Sequence, residues 1–190
     1  MFARTPRLLL RPGWMEDAPA LAAAINDPAV LRNLSHVPNP YTAEDAQRFL
    51  ALPHHPRMPR LLAFSRTRGA PRLIGGCGVH PGADGAPELG YWIARAYWGL
   101  GFATEAAGAV IGMARANGIR TIRAAHCADN PASGNVLRKL GFRFTGETQK
   151  RHSLGRNAIV DCLIFEEGEG GGMNDDPMMD AYANDLPVAA

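Results

Sequence analysis

Tyr97-Trp98-Gly99-Leu100-Gly101-Phe102-Ala103-Thr104-Glu105-Ala106 decides how this chain reads, together with the later Asn130-Pro131-Ala132-Ser133. The first stretch is a strand end, a glycine turn and a helix start. Two glycines separated by one residue let the backbone approach a ligand with no side chain between. The helix opening at about Gly101 offers unpaired N–H groups and the positive end of its dipole, an arrangement suited to a phosphate or pyrophosphate.

Around that turn the pattern is a mostly antiparallel sheet. Strands are expected over residues 7–11, 60–66, 72–80, 87–94, 121–126, 142–146 and 158–166. Helices are expected over 16–26, 29–34, 42–52, 101–117 and 131–140, with Thr42 and Asp45 as a capping box and Gly118 closing the long central helix. Strand 87–94, the helix after the glycine turn and strand 121–126 form one central crossover. The fold class is therefore α+β. One domain is expected over residues 1–166, followed by an acidic, glycine-rich tail over 167–190 that docks on the domain or across a neighbouring subunit, as in a homodimer.

The chain has 190 residues, 46% of them hydrophobic and 20% charged, so it can bury an ordinary core. All 20 Lys and Arg precede Glu167, whereas 6 of the 18 acidic residues lie from Glu167 onward. The basic part carries scattered arginines and no basic helix with interleaved aromatics, which argues against nucleic acid as a partner. No apolar run reaches the ~18–20 residues of a membrane span, and residues 1–7 have no apolar signal core. Cys77, Cys127 and Cys162 are odd in number and have no metal-ligand spacing. Free thiols, a cytoplasmic location and no metal are expected.

Three phosphate sites use a glycine turn before a helix. A P-loop needs a lysine, and none lies near Gly101. A dinucleotide fold needs a third glycine, where Thr104 stands, and an acid ~20 residues on, where strand 121–126 has none. A nucleotide-dependent oxidoreductase is thereby disfavoured. The third use is coenzyme A, and here the residues carry a family resemblance. Residues 5–12 (TPRLLLRP), 40–46 (PYTAEDA), 73–76 (LIGG), 88–92 (ELGYW), 98–106 (WGLGFATEA), 130–133 (NPAS) and 139–142 (KLGF) occur in the order found in GNAT acyltransferases. The chain most closely resembles the branch that includes the ribosomal-protein N-terminal acetyltransferases.

This resemblance implies a mostly antiparallel sheet flanked by helices that splays beside strand 87–94, with acetyl-CoA as co-substrate. The pantetheine arm would pair with that strand near Trp92 and Ile93. The pyrophosphate would sit on the N–H groups of Gly99, Leu100, Gly101, Phe102, Ala103 and Thr104. Asn130 would bond the pantetheine arm, and Asn135 either completes the set or only supports its helix. An amine would attack the thioester directly, with Glu88 as base and Ser133 as proton donor to the thiolate. Each has an ordinary alternative: Asn130 as a helix cap, Ser133 as a first-turn serine, Glu88 as a strand carboxylate paired with an arginine. His80 and His126 read as structural, Glu105 as a first-turn acid that suits the helix dipole, and Cys127 as an inert core thiol.

Two departures stand out. Ala96 occupies the first position of the wider phosphate motif, and Leu137 stands where many relatives carry a thiolate-protonating tyrosine. The acceptor is expected to be an amine-bearing small molecule or a protein N-terminus, received by the early helices, loop 33–41 and segment 151–157. The rival reading is a non-catalytic coenzyme A-binding sensor or interaction module.

Overall fold

Hydrophobic alternation in the strands and apolar stripes on the helices place one sheet between two helical layers. The computed structural model describes residues 1–67 and 69–167. The strands are β1 (Ala3–Arg4), β2 (Leu8–Arg11), β3 (Arg60–Ser65), β4 (Arg72–Pro81), β5 (Pro87–Ile93), β6 (Arg123–Cys127), β7 (Phe142–Ser153) and β8 (Ala158–Glu167). The helices are α1 (Ala18–Ile25), α2 (Pro28–Leu31), α3 (Ala43–Ala51), α4 (Phe102–Ala116) and α5 (Pro131–Lys139). The sheet order is β1-β2-β3-β4-β5-β6-β8-β7, and only β5 and β6 run parallel, joined through α4.

One core lies under α4 and α5, where Phe102, Ala106, Val110 and Leu137 meet Leu8, Ile74, Leu89 and Ile93. The other lies under α1, α2 and α3, where Leu21, Ile25, Leu31 and Leu50 meet Leu62, Phe64 and Leu73. Arg11 fixes β2 to the start of α1: its guanidinium grips both carboxylate oxygens of Asp17 at 2.7 Å and lies over the rings of Trp14 and Phe64.

Most expected elements are present, with informative differences. The helix expected over 29–34 is the single turn α2. Asp27 caps it by accepting from the Ala29 N–H at 2.8 Å, and the Asn33 side chain ends it by donating to the Ala29 carbonyl at 3.0 Å. The strand expected to stop at Gly146 runs on to Ser153. A register shift between Phe144 and Thr148 interrupts its pairing with β8 without ending it, and its polar residues suit an exposed edge. The short β1 was not expected. Apart from Glu167, the acidic tail lies outside the described residues.

Glu105, in the first turn of α4, ties that helix to the start of β2. It accepts from the Thr5 hydroxyl, from the Arg7 N–H at 2.9 Å and from the Arg7 Nε at 2.6 Å, and Arg7 also donates to the Leu100 carbonyl at 2.8 Å. Burial pushes the Glu105 pKa up, but the bonds from Thr5 and Arg7 outweigh it and leave the group lowered. Its stabilising effect is therefore present above the ordinary carboxylate range and is lost as pH falls through the depressed pKa. Arg7 is 40% exposed, which limits the contribution of the charge pair. Glu105→Gln is expected to cost about 1–2 kcal/mol in urea unfolding at neutral pH. The difference should shrink as pH falls below the ordinary carboxylate range and through the depressed pKa. An equal cost at neutral and at acid pH would contradict this account.

Candidate active site

The site begins where the sheet comes apart. β5 pairs with β6 only through Glu88 with Arg123 and Leu89 with Ala124, whereas β4 stays paired with β5 from Gly75 to Pro81. Beyond Leu89 the far edge of β5 has no neighbouring strand among the described residues. The Ala94 N–H donates to the Ile74 carbonyl at 2.7 Å, which sets the hydrogen-bonding parity of the antiparallel ladder. Gly90 and Trp92 therefore turn their N–H and C=O groups toward β4, and Tyr91 and Ile93 turn theirs into the opening. The Ile93 carbonyl is taken by the Trp98 indole N–H at 2.6 Å. The expected pairing at Trp92 and Ile93 is corrected accordingly: Trp92 spends its backbone on β4, and Tyr91 shares the open edge with Ile93. The Trp92 side chain lies over the β4 glycines, where a Cβ on Gly76 would come within 2.7 Å of the indole nitrogen.

The glycine turn closes one end of this opening. Gly99 and Gly101 adopt φ of 72° and 78°, a region that other residues reach only with strain. The first bond of α4 is from the Glu105 N–H to the Gly101 carbonyl, so the N–H groups of Phe102, Ala103 and Thr104 have no intrahelical acceptor. Among the described residues, those of Gly99, Leu100 and Gly101 also have no protein acceptor. The side chains of Phe102 and Ala103 are buried in the core, so only their backbone faces outward. Six successive amides at a helix N-terminus can hold an anion of phosphate type. Arg95 is exposed and 3.9 Å from Asp27, and Ala96 offers no polar side chain.

On the α5 side, Ser133 meets a group that the sequence did not flag. The Tyr91 hydroxyl lies 2.8 Å from Ser133 Oγ and 3.0 Å from the Ser133 carbonyl. A carbonyl only accepts, so one proton of this hydroxyl pair points there and the other is shared between the two oxygens. Burial pushes the Tyr91 pKa up, which keeps it protonated. Leu137 is fully buried in the core. The only signal for Tyr91 was its alternation with Leu89 and Ile93 on the face beneath α5.

Asn130 adopts the capping alternative, its side chain accepting from the Ser133 N–H at 3.4 Å. Asn135 is exposed and accepts from Arg138 at 3.1 Å, which matches helix support. His126 is buried, with Nδ1 2.8 Å from the Cys127 carbonyl and Nε2 unpaired beneath Gly134. Burial lowers its pKa, so it stays neutral and packs, as expected. Cys127 and Cys162 face each other in register across β6 and β8, both buried. A hydrogen bond from Cys162 lowers the Cys127 pKa, and both thiols stay buried in the core.

Glu88 projects from the other face of β5. Both its oxygens are held by Arg151, at 2.6 and 2.9 Å, with side chains only 12% and 20% exposed. This is the arginine-paired alternative, and it corrects the expected base: a lone pair already committed to a guanidinium on each oxygen is poorly placed to take a proton. The segments expected to receive the acceptor do meet. The Leu154 N–H donates to the Ser35 carbonyl at 2.8 Å, Asn39 donates to the Gly155 carbonyl at 3.3 Å, and a Cβ on Gly155 would strike the Leu31 carbonyl. Asp129 then bridges Arg32, at 2.9 Å, and Arg156, at 2.7 and 2.8 Å.

Residues 7–143 match the family described as an acetyltransferase (GNAT) domain. An uncharacterized N-acetyltransferase of Bacillus subtilis, YoaA, is 34% identical over 149 residues, covering 75% of this chain and 82% of that protein. A GNAT-family acetyltransferase from Bacillus anthracis superposes with a TM-score of 0.73 at 23% identity, covering 87% of this chain and 97% of that one. RimL, a ribosomal-protein alpha-N-acetyltransferase solved in complex with coenzyme A, superposes with a TM-score of 0.71 at 19% identity over 88% of this chain and 97% of its own. The two structures share this fold.

The Glu88–Arg151 pair can be weighed by a double-mutant cycle. Glu88→Gln and Arg151→Met, alone and together, are expected to give a coupling of about 1–2 kcal/mol in unfolding free energy, each single change leaving the other group buried and unpaired. Additive effects within about 0.3 kcal/mol would contradict a tight pair.

Proposed function

The chain belongs to the GNAT acetyltransferase family, and we propose that it transfers the acetyl group of acetyl-CoA to an α-amine by direct attack. The observation that carries this reading is the opening between β5 and β6 beside six amides that have no protein acceptor among the described residues. The amides of residues 99–104 hold the pyrophosphate, and the Tyr91 and Ile93 edge of β5 continues the sheet onto the amide-bearing pantetheine arm. Bound there, acetyl-CoA supplies a thioester already activated toward amines. The protein then works by positioning and by handling protons.

The Ser133 and Tyr91 hydroxyls relay a proton to the departing thiolate. Ser133 gives its proton to the thiolate while taking one from Tyr91, and Tyr91 is reprotonated by an N–H proton of the attacking nitrogen, so neither group is left ionised. This pair takes the place of the tyrosine that Leu137 replaces. The nature of the amine follows from the weak general base. An α-amine with pKa ~8 is roughly a tenth free at neutral pH, against ~0.04% for a lysine-like amine near 10.4. With Glu88 committed to Arg151, an α-amine, as on a protein N-terminus or an amino-acid-like small molecule, suits the site.

Calorimetric titration with acetyl-CoA is expected to give one site. Leu100→Glu, which sets a carboxylate on the turn at an exposed position, should weaken binding by at least about tenfold with little change in melting temperature. Ser133→Ala, Tyr91→Phe and the double variant should each lower coenzyme A release by about tenfold or more, with the double no worse than the worse single change. Unchanged affinity in Leu100→Glu, or additive losses at Ser133 and Tyr91, would contradict these assignments.

A further inference from the structure

We propose that His80 is the group that takes the proton from the acceptor amine, with His36 as its positioning partner. This rests on the acetyl-transfer reading above and supplies the base that Glu88 does not.

His80 faces Glu88 across the β4–β5 ladder. Its ring leans along the sheet over Gly90, the first residue after β5 parts from β6. His80 Nε2 is 3.2 Å from the position a Cβ on Gly90 would occupy, so any larger residue there would displace the ring. His80 Nδ1 lies 3.1 Å from the Pro81 carbonyl. A carbonyl has no hydrogen to give, so Nδ1 carries the proton and Nε2 is left with a free lone pair. That lone pair points over the strand whose next residues line the opening. His36, carried by the loop that the β7–β8 turn clamps, meets His80 edge to face, with centroids 6.2 Å apart and planes at 82°. The charged groups facing the pair are Glu88 on β5 and Arg151 on β7, which neutralise each other. Burial lowers the His36 pKa, with the neighbouring His80 and Arg151 adding to the effect against the pull of Glu88, so His36 stays neutral.

The proton count closes. An ammonium acceptor loses one proton to His80 Nε2 and becomes a free amine. The amine nitrogen bonds to the acetyl carbon as the carbon–sulfur bond breaks. A second N–H proton passes through the Ser133 and Tyr91 hydroxyls to the thiolate. His80 returns its proton to water, leaving an amide, coenzyme A thiol and one released proton.

Two measurements test this on the full chain. Long-range proton–nitrogen spectra of histidine-labelled protein at pH 7.5 should show His80 as the neutral Nδ1–H tautomer; the Nε2–H tautomer or an imidazolium would overturn the proposal. Coenzyme A release is then followed with short peptides bearing free N-termini, from pH 6.5 to 9.5, in the parent, His80→Gln and Glu88→Gln. His80→Gln should lose about a hundredfold at pH 6.5. The deficit should shrink toward pH 9.5, where the amine is free without help, while the calorimetric affinity for acetyl-CoA stays within about twofold. A deficit constant with pH would mark His80 as packing only and overturn the proposal. So would a pH-dependent loss in Glu88→Gln with none in His80→Gln. A parent that binds acetyl-CoA and acetylates none of the peptides would contradict the α-amine reading and the base role together, whereas a normal parent with an unaffected His80→Gln overturns the base role alone.

Discussion

Two parallel strands that pair over only two residues are the constraint on which the rest of this molecule depends. β5 and β6 meet at Glu88 and Leu89 and then diverge, leaving part of one strand edge without a neighbour among the described residues. An unpaired edge inside a sheet costs free energy unless something occupies it. Here the groups left over on β5 belong to Tyr91 and Ile93, while the intact ladder with β4 keeps that strand straight and in register. The parallel sense of the pair follows from the α4 crossover. The same crossover delivers the N-terminus of α4, with its outward amides, to the mouth of the opening. One topological choice thus creates both the slot and the row of free amides at the start of α4.

The two faces of β5 divide the work. Alternation sends Tyr91 toward α5, where it meets Ser133, and sends Glu88 and Trp92 to the opposite face, beneath α1 and the clamped loop. In the proposed mechanism, the proton donor to sulfur and the base that takes the first proton from nitrogen thereby lie on opposite sides of one strand. Glu105 serves neither. It anchors the start of α4 to the N-terminal strand through Thr5 and Arg7.

Much of this was legible in the sequence, and the limits have physical causes. The glycine turn, the capping box at Thr42 and Asp45 and the central crossover are local signals, set by residues a few positions apart, and the structure keeps them. The second half of β7 was not legible, because an edge strand exposed along its length needs no apolar alternation. The partners of Glu88 and Ser133 were not legible either. Arg151 lies 63 residues from Glu88 and Tyr91 lies 42 residues from Ser133, so both contacts exist only once the sheet has formed. The choice between Trp92 and Tyr91 depends on ladder parity, which one hydrogen bond at Ala94 settles and no composition encodes.

The most direct test of the central claim is amide hydrogen exchange along β5, residue by residue, with and without saturating acetyl-CoA. The account predicts that the Trp92 amide is protected in both states, whereas the Tyr91 and Ile93 amides exchange quickly in the free protein and become protected, together with those of residues 99–104, when the ligand binds. Protection at Tyr91 and Ile93 that is already complete without ligand, or unchanged by it, would contradict the open strand edge as the site on which this protein works.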